Sequence, residues 1–490
     1  MKSKIVKRVL ATSVATVMAA SMAGCGNDAN TTDGDKVSTP ASDEASTPVD
    51  DASSPAVESS AEEELGQYTV LKDENGNVYD LGGMEIIIRD WWSGEESDPA
   101  NAYEEARKEY RDWIQETYNF TIKQQAISTW ASVPEDYANY VTTGGDDNNY
   151  VFILRSGTEL VQAMNNDLMY DLATLDCLDF SEAKWNGNAG VHAQMTKGTS
   201  IYGMAAGEHE TKGGVFFNKR LLEEAGVNPQ EIYDMQENMT WTWDAFVDMC
   251  ERVQADVDND GVIDRYATVN FTTMTYPLAV YSNGGDFIAL GDDGKYYNDL
   301  ESEETLEALN WVNSWVDKYN CPQGERNWDY FIEAFKNGEA VFLPQESYNA
   351  GQQLADMEDD FGFVCFPMGP KATDYVNIYN DNPNCIPACY DADKAWKIAF
   401  AFNLWTEPVP GYEDYSSVIA SSYNSFRDTE SVDLTTARLL KNGRVTYINM
   451  IPGIDIGADM GWWNFSEKTP AQVAEEVRPK WAAYLEEANK

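Results

Sequence analysis

The sequence predicts an α/β fold organised as two lobes. From Met84 onward, apolar strand patterns alternate with amphipathic helix patterns, which is typical of a mostly parallel sheet covered by helices. At 490 residues the chain is too long for one small core, so we expect two domains. In the stretch 200–226 a strand breaks off, passes through a polar segment and resumes before a helix. We interpret this stretch as a crossing between lobes, in which Gly213 and Gly214 absorb a change in backbone angles.

Composition excludes several classes of function. The chain carries 83 acidic and 34 basic residues, a formal charge of −49. Such a surface repels nucleic acid and anionic lipid, so neither is expected as a partner. The chain has only two histidines, His192 and His209, and this argues against catalysis or metal binding by a histidine cluster.

Residues 1–24 have the pattern of a bacterial export signal. Basic residues precede an apolar run that is too short to span a membrane. The run ends in Ala-Gly-Cys, which resembles the lipobox of bacterial lipoproteins and implies that Cys25 carries the lipid. A plain secretion signal with an incidental cysteine is the alternative. Residues 26–66 contain hardly any large apolar side chains, so we expect a disordered stalk.

The first lobe is predicted to contain strands that end in candidate ligand contacts. A hairpin is expected at 68–81 around Asn75-Gly76, followed by a strand at 84–88 and a helix at 99–118 capped by Ser97 or Asp98. Ligands of parallel α/β sheets bind outside the carboxyl ends of the strands. The residues predicted at that edge are Trp91, Trp92, Arg155 and Ser156.

Five stretches in order resemble the family 1 extracellular solute-binding proteins, the receptors of ABC importers. They are the run YVFILRSGTELVQAMNNDLMYDLATL, the crossing up to FFNKRLLEEAG, the Trp-Asp helix start at Trp243, the F-x-x-G-x-A pattern at 335–340 and the P-x-G-P step at 367–370. The resemblance covers roughly residues 84–490. It implies a periplasmic-binding-protein-like fold of class II, in which two lobes close over a ligand in the cleft between them.

The resemblance also implies a division of the chain and a set of partners. Lobe 1 is expected to begin at 67–208 and to return at 344–406, and lobe 2 to comprise 209–343 and the C-terminal helices of 407–490. Membrane permease subunits are the implied partners. We expect a monomer, held on the outer face of the cell membrane by its lipid anchor.

A carbohydrate, preferably an oligosaccharide, is the expected ligand. Sugars offer apolar faces to flat aromatic rings and hydroxyls to charged or amide groups. The rings proposed for ligand contact are the loop pairs Trp91-Trp92 and Trp462-Trp463, with Trp130, Trp185 and Trp328 ranked below them. The polar partners proposed at strand ends and crossings are Arg155, Ser156, Glu208, Gln345 and Tyr348.

Two other functions stay open from the sequence. A receptor for a peptide or another polar nutrient could use the same scaffold. An exported glycan-cleaving enzyme is less favoured. A pair of carboxylates can always be found among so many, and the sequence has no phosphate-binding loop, serine nucleophile elbow or metal-ligating histidine pair.

An acidic loop and the cysteines complete the candidate sites. Asp256, Asp258, Asp260 and Asp264, with Gly261 at the sixth position, match the spacing of a calcium loop, although Ala267 stands where a bidentate Glu is usual. A solvated acidic turn is the alternative, and no other cofactor is expected. Six cysteines remain after Cys25, and the only close pair is Cys385 and Cys389, for which a disulfide stays open.

Overall fold

The computed structural model of the protein describes residues 68–95, 97–379 and 381–490. The predicted signal peptide, the lipidated Cys25 and the predicted stalk lie outside the described residues. The chain divides into two compact units. The described part of the first unit consists of residues 68–79, Asp98–Trp113 and Val409–Tyr415. The second unit comprises Asp80–Ser97, Ile114–Pro408 and Ser416–Lys490.

Strands and helices are numbered separately along the described chain. The strands are β1 (Met84–Asp90), β2 (Phe120–Ala126), β3 (Asn149–Ile153), β4 (Thr196–Lys197), β5 (Ser200–Ile201), β6 (Gly213–Asn218), β7 (Tyr266–Thr268), β8 (Ile288–Leu290), β9 (Tyr296–Asn298), β10 (Ala340–Glu346), β11 (Phe361–Cys365), β12 (Asn377–Tyr379), β13 (Asn384–Cys385) and β14 (Gly443–Val445). The α-helices are α1 (Ala102–Tyr118), α2 (Val133–Thr142), α3 (Thr158–Asn165), α4 (Ala183–Asn186), α5 (Ala189–Met195), α6 (Lys219–Glu224), α7 (Gln230–Glu237), α8 (Trp243–Val253), α9 (Thr272–Ser282), α10 (Glu303–Tyr319), α11 (Tyr330–Lys336), α12 (Ala392–Trp405), α13 (Ser417–Ser425), α14 (Ala437–Leu439), α15 (Ile456–Asp459) and α16 (Pro470–Ala488). Short 3₁₀ turns lie at Leu172–Thr174, Ser347–Gly351, Ile448–Met450 and Gly461–Trp463, and Ser431–Thr436 is a π-helical turn. No helix in the described part of the chain is both long enough and apolar enough to cross a bilayer.

The first unit contains the predicted hairpin in a reduced form. One antiparallel bridge joins Lys72 to Val78, so the loop spans 73–77 rather than the two residues expected. The Asp73 carboxylate closes this loop by accepting the backbone N–H groups of Asn75 and Asn77 at 2.9 and 2.8 Å. A side chain that binds backbone groups in this way competes with a tight two-residue turn.

Helix α1, which starts in the first unit, begins at Ala102 rather than at Pro99 as predicted. The cap is Asn101, whose side-chain oxygen accepts the N–H of Glu104 at 3.0 Å. The Glu104 carboxylate in turn accepts the N–H of Ala100 at 2.7 Å. This reciprocal pair of hydrogen bonds satisfies backbone N–H groups at the start of the helix. It explains why the helix is capped by Asn101 and not by Ser97 or Asp98 as predicted.

The first sheet of the second unit has the strand order β13-β3-β1-β2. Strand β1 runs parallel to β2 and β3, and β13 is antiparallel to β3. The alternation of strands and helices therefore has the predicted α/β character. Because β1 and β3 are parallel, the residues that follow them emerge at the same edge of the sheet.

The second sheet has the order β11-β6-β10-β7 and is mixed rather than mostly parallel. Strand β6 lies antiparallel to both β10 and β11, whereas β10 and β7 are parallel. Strand β11, which the resemblance assigned to the first lobe, pairs with β6 in this second sheet. The domain boundaries as a whole stay a prediction.

The two glycines of the predicted hinge are packed inside the second sheet. Gly213 and Gly214 are the first residues of β6, both are buried, and neither adopts a positive φ. A Cβ atom on Gly213 would lie 2.4 Å from Leu278 Cδ2, and one on Gly214 would lie 2.1 Å from Phe363 Cζ and 2.7 Å from the carbonyl oxygen of Val364. The prediction that these glycines give the backbone freedom is therefore wrong. Glycine is needed at both positions because only a residue without a Cβ leaves room for the neighbouring strand and helix.

We predict that Gly214→Ala lowers the free energy of unfolding by roughly 1–3 kcal/mol or more, because the added methyl overlaps both a ring and the backbone. Denaturant unfolding measures this change. Gly94→Ala is the matched control, since a Cβ there would meet no atom within 4 Å. Equal stability of the two variants would contradict the packing argument.

A buried carboxyl lies between α9 and β8. Burial raises the pKa of Asp286 from 3.8 to about 6, and the positive charge of Arg444, 3.2 Å away, lowers it only in part. The folded chain therefore binds this proton more readily than the unfolded chain. Stability contributed by the group is present at low pH and is lost as the pH rises from 3.8 to about 6.

We predict that Asp286→Asn removes this loss. The difference in unfolding free energy, variant minus wild type, should rise by about 2 kcal/mol between about pH 4 and pH 7. Denaturant unfolding across that range measures it, with the exposed Asp292→Asn as control. Curves for wild type and Asp286→Asn that stay parallel would show that the carboxyl is not perturbed.

Candidate binding cleft

A cleft of about 1270 Å³ in the second unit is lined by residues from both sheets. The side of the first sheet contributes residues that follow β1, β2 and β3 or precede β13: Trp91, Trp92, Trp130, Arg155, Ser156 and Asn382. The side of the second sheet contributes residues around β6, β7, α11 and β10: Glu210, Lys212, Phe271, 325–333, Gln345, Glu346, Tyr348, Gln352 and Gln353. Eight of the twelve residues proposed for ligand contact are thus brought together here.

Exposed aromatic rings are the dominant apolar feature of the cleft. The exposed fractions are 51% for Trp92, 58% for Trp130, 71% for Trp328 and 44% for Tyr348. Two of these rings belong to the side of the first sheet and two to the side of the second. Large rings are usually buried, so four exposed ones in one concave site mark a surface made for contact.

Asp90, the last residue of β1, positions the tryptophan pair that follows it. Its carboxylate is fully buried and accepts the hydroxyl of Ser93 at 2.8 Å and the amide of Gln124 on β2 at 2.6 Å. It also accepts the backbone N–H of Trp92 at 3.4 Å. Because these bonds tie the turn to the neighbouring strand, the rings of Trp91 and Trp92 are held at the sheet edge, 4.8 Å apart between centroids.

Arg155 and Ser156 follow β3 at the same edge. The guanidinium of Arg155 lies 4.5 Å from the ring centroid of Trp130 and forms an ion pair with Glu159 at 2.7 Å. The backbone N–H of Ser156 is donated to the side chain of Asn382 at 3.2 Å. Arg155 therefore packs against the ring of Trp130 and also presents N–H donors to the cleft.

On the opposite side, Gln345 and Tyr348 lie at the end of β10. Gln345 is only 5% exposed, and its side-chain oxygen accepts the N–H of Glu346 at 2.9 Å. Tyr348 stands in the 3₁₀ turn that follows, which is tied to the crossing by a hydrogen bond from the Ser347 hydroxyl to the carbonyl of Thr211. Burial and the nearby charge of Glu346 both raise the pKa of Tyr348, so its hydroxyl stays protonated at neutral pH.

Four proposed residues are not brought to the cleft. Trp185 is buried and its ring packs 5.3 Å from that of Phe180. Trp463 is 3% exposed and stacks on Tyr276 at 5.2 Å between ring centroids, so core packing replaces the expected ligand contact. Trp462 is 65% exposed but does not line the cleft. Glu208 also lies outside the lining and accepts a hydrogen bond from the hydroxyl of Ser416 at 2.5 Å.

A charged group in the cleft was missed by the sequence prediction. The ammonium of Lys212 lies 3.4 Å from Glu210 and 3.6 Å from Asp381. Burial lowers the pKa of Lys212, but the negative charges of Glu346, Glu210 and Asp381 outweigh this effect and raise it overall. Glu210 and Lys212 lie in the irregular segment before β6, where no strand or helix periodicity marks a face.

Backbone contacts of the same segment fix its place. The N–H of Glu210 is donated to Asp381 at 3.1 Å, and the N–H of Lys212 to the side chain of Asn377 at 2.8 Å. The side-chain amide of Asn377 is donated back to the carbonyl of Glu210 at 2.9 Å. The crossing is thus bound to residues near β12, far away in sequence, which explains why no local pattern revealed it.

The acidic loop between α8 and β7 gathers part of the predicted calcium set. One carboxylate oxygen each from Asp256, Asp258 and Asp260 lies within 4.8 Å of the others. Asp264 stands apart and accepts the N–H of Val257 at 2.7 Å. Ala267, at the twelfth position, is buried in β7.

The cysteines of the described chain are free thiols. Burial raises the pKa of Cys385 well above its ordinary value and also raises that of Cys389. Both therefore stay protonated at neutral pH, and protonated thiols are poor nucleophiles and poor metal ligands.

Comparison with solved structures places the fold. The chain resembles a cyclic alpha-maltosyl-1,6-maltose binding protein from Arthrobacter globiformis, with a TM-score of 0.59 and 15% identity over 83% of this chain and 100% of that one. It resembles UgpB from Mycobacterium tuberculosis in complex with glycerophosphocholine, with a TM-score of 0.56 and 16% identity over 78% and 95%. It also resembles the ABC substrate-binding protein Lmo0181 from Listeria monocytogenes in complex with cycloalternan, with a TM-score of 0.55 and 15% identity over 82% and 98%. These likenesses establish the two-lobed, periplasmic-binding-protein-like fold.

At the level of sequence, no curated protein matches the chain. A family model described as bacterial extracellular solute-binding protein matches residues 109–428, which is more than half of the chain. The resemblance found in the sequence is confirmed at this level: the chain belongs to the family of bacterial extracellular solute-binding proteins.

Proposed function

We propose that this protein captures a carbohydrate, preferably an oligosaccharide, in the cleft between its two sheets and delivers it to the permease subunits of an ABC importer. The observation that carries the proposal is the set of four exposed rings, Trp92, Trp130, Trp328 and Tyr348, which line the cleft from both sides. Flat rings on both walls suit a ligand with two apolar faces. The size of the cleft supports a ligand of several sugar units, because pockets for drug-sized molecules are ~300–1,000 Å³.

The energetics require polar contacts beside the rings. Covering ~100 Å² of sugar face at ~25 cal/mol/Å² contributes about 2.5 kcal/mol per ring. Association costs ~4–15 kcal/mol, so two or three rings barely offset it. Arg155, Gln345 and Asn382 line the same cleft and offer amide and guanidinium groups to hydroxyls.

Two of the similar structures support a saccharide: the Arthrobacter globiformis protein binds cyclic alpha-maltosyl-1,6-maltose, and the Listeria monocytogenes protein is in complex with cycloalternan. The Mycobacterium tuberculosis protein, in complex with glycerophosphocholine, shows that the scaffold also holds a polar ligand that is not a saccharide. The aromatic lining favours the saccharide here.

The protein acts by binding and not by catalysis under this proposal. Ligand contacts on both walls favour a closed arrangement of the lobes, and no bond of the ligand is broken. The lipid on Cys25 holds the protein at the outer face of the membrane, beside the permease. The lipobox pattern and the family's extracellular character support this location.

Thermal unfolding against a panel of mono- and oligosaccharides, short peptides and phosphodiesters tests the function. A ligand present at 100 times its dissociation constant should add ~2.7 kcal/mol to the stability of the folded state. A stabilising saccharide that is recovered chemically unchanged supports the proposal. Stabilisation by peptides or phosphodiesters alone would instead support a receptor for a peptide or another polar nutrient. Conversion of the saccharide to product would contradict the binding role.

We predict that Trp328→Ala and Trp92→Ala each weaken binding of the stabilising saccharide by roughly 10–100-fold, because each removes about 2.5 kcal/mol of ring contact before the rest of the site adjusts. Titration calorimetry measures the change. Trp462→Ala is the matched control, since that ring has an exposed fraction between those of Trp92 and Trp328 but lies outside the cleft. Unchanged affinity in both cleft variants would show that these rings do not contribute to saccharide binding.

We also infer a structural calcium ion in the loop of Asp256, Asp258 and Asp260. Their carboxylate oxygens are close enough to share one ion, and calcium prefers such oxygen ligands. Asp264 would support the loop through its bond to Val257. The ion would stiffen the connection between α8 and β7.

We predict that millimolar calcium raises the unfolding midpoint of protein previously treated with a chelator, and that Asp258→Asn abolishes the rise. The ion binds only the folded loop, so its binding energy adds to stability. Asp292→Asn, an exposed acid outside the loop, should respond like wild type. An equal rise in Asp258→Asn would assign the effect to another part of this acidic surface.

A further inference from the structure

Gln345 is buried at the end of β10, unlike the other amide side chains that line the cleft. Its side-chain oxygen accepts the backbone N–H of Glu346 at 2.9 Å. A backbone N–H can only donate, so this bond fixes the orientation of the amide. The NH2 group is therefore the end of Gln345 that remains for the cleft.

The NH2 group of Gln345 has no hydrogen-bond acceptor among the residues that the structure describes. It is also not enclosed by protein atoms, since the fully covered polar atoms that lack a partner belong to other residues. The group thus opens onto the cleft that Gln345 lines. A donor on a side chain this buried needs an acceptor from the molecule that fills the cleft.

Asn382 and Ser156, on the side of the first sheet, have the same polarity. The side-chain oxygen of Asn382 accepts the backbone N–H of Ser156 at 3.2 Å, so the NH2 group of Asn382 is left to donate. The hydroxyl oxygen of Ser156 accepts the side-chain amide of Asn449 at 3.3 Å, so the hydroxyl hydrogen is left to donate. Gln345, Asn382 and Ser156 form what we call the donor set, in which the protein engages each side-chain oxygen and each side chain offers a hydrogen to the cleft.

The cations beside the donor set are already paired. Arg155 forms an ion pair with Glu159 at 2.7 Å, and the ammonium of Lys212 lies 3.4 Å from Glu210 and 3.6 Å from Asp381. A ligand carboxylate would have to displace one of these partners and break a charge pair. A neutral acceptor oxygen needs no such exchange, so it fits the donor set better than an anion does.

A saccharide can offer the donor set either hydroxyls or acetamido carbonyls. A hydroxyl brings its own hydrogen, which then needs an acceptor, but the protein already engages the oxygens of the donor set. A carbonyl oxygen has two lone pairs and no hydrogen. A site of fixed donors therefore favours the carbonyl, because a ligand donor placed there would lose its hydrogen bond to water.

We propose that the saccharide bound in this cleft is an oligosaccharide of N-acetylated amino sugars, whose acetamido carbonyls accept hydrogen bonds from Gln345 and Asn382. This inference rests on the proposed carbohydrate function and adds to it the substituent that the site recognises. The sugar faces lie against the aromatic rings, and the acetamido groups reach the donor set. Free ammonium groups, which only donate, gain nothing from the same side chains.

A matched pair of ligands tests the inference with the purified full chain. The β-1,4-linked tetramers of N-acetylglucosamine and of glucose are both neutral, and they differ in an acetamido group in place of a hydroxyl on each unit. The glucosamine tetramer replaces the carbonyls with amines, and a galacturonate tetramer offers anionic acceptors. Maltotetraose adds a neutral saccharide of another linkage, and titration calorimetry measures the five affinities.

The N-acetylated tetramer should bind at least ~10-fold more tightly than the glucose tetramer, which is the effect of one or two hydrogen bonds. Gln345→Glu keeps the shape of the side chain and replaces the donor by an acceptor, so at about pH 8 this preference should fall several-fold. At about pH 5 the carboxyl, which burial favours in its protonated form, donates again and the preference should recover. Acid would not reverse a simple loss of packing.

Two further variants make the test specific. Asn382→Asp repeats the exchange on the side of the first sheet, where the side chain is only partly buried, and should also lower the preference. Gln162→Glu, an exposed amide outside the cleft, makes the same change of charge and should keep the wild-type preference at both pH values. A preference that stays unchanged in both Gln345→Glu and Asn382→Asp overturns the inference.

The possible failures are distinguishable. Binding of the glucose, glucosamine or galacturonate tetramer that equals or exceeds that of the N-acetylated tetramer overturns the inference and leaves the carbohydrate function standing. Binding of maltotetraose alone does the same. If none of the five saccharides binds, the inference and the proposed carbohydrate function both fall.

Discussion

The packing of β6 between β10 and β11 is the constraint on which the cleft depends. All six residues of this strand are buried, and its first two positions accept only glycine because Leu278 and Phe363 occupy the space of a Cβ. The strand therefore cannot shift along its neighbours without losing these contacts. Its rigid start determines where the preceding segment, with Glu210 and Lys212, enters the cleft.

That segment is held by polar bonds and by the packing of His209 against Tyr379, whose ring centroids lie 3.9 Å apart. Asn377 exchanges two hydrogen bonds with the backbone of 210–212, and Asp381 accepts the N–H of Glu210 while facing the ammonium of Lys212. Buried charges are costly unless they are paired and hydrogen-bonded. The pairing of Lys212 with Glu210 and Asp381 therefore helps to hold the segment that enters β6.

Much of the fold could be predicted from the sequence, because strands and helices in an α/β chain have regular patterns. Strand β1, predicted at 84–88, forms at Met84–Asp90, and the Trp-Asp pattern at Trp243 begins α8. The parallel edge also brought Trp91, Trp92, Arg155 and Ser156 together as expected. These features depend on contacts between residues that are close in sequence or on a general rule of sheets.

Other features depend on packing between distant segments and were not predictable. Trp462 and Trp463 are adjacent in a glycine-rich loop, yet one ring is exposed and the other stacks on Tyr276 in the core. Gly213 and Gly214 looked like a flexible hinge, and only the neighbouring Phe363 shows that they are confined. The antiparallel pairing of β11 with β6 likewise joins segments whose local patterns allow either sheet.

Hydrogen–deuterium exchange of the backbone, with and without the bound saccharide, tests the central claim most directly. If the ligand lies between the aromatic walls, exchange should slow on both sides of the cleft, in 91–93 and in 325–333 together, while the loop around Trp462 stays unchanged. Protection on one side only, or protection centred on the loop of Trp462, would contradict a ligand enclosed by the two sheets.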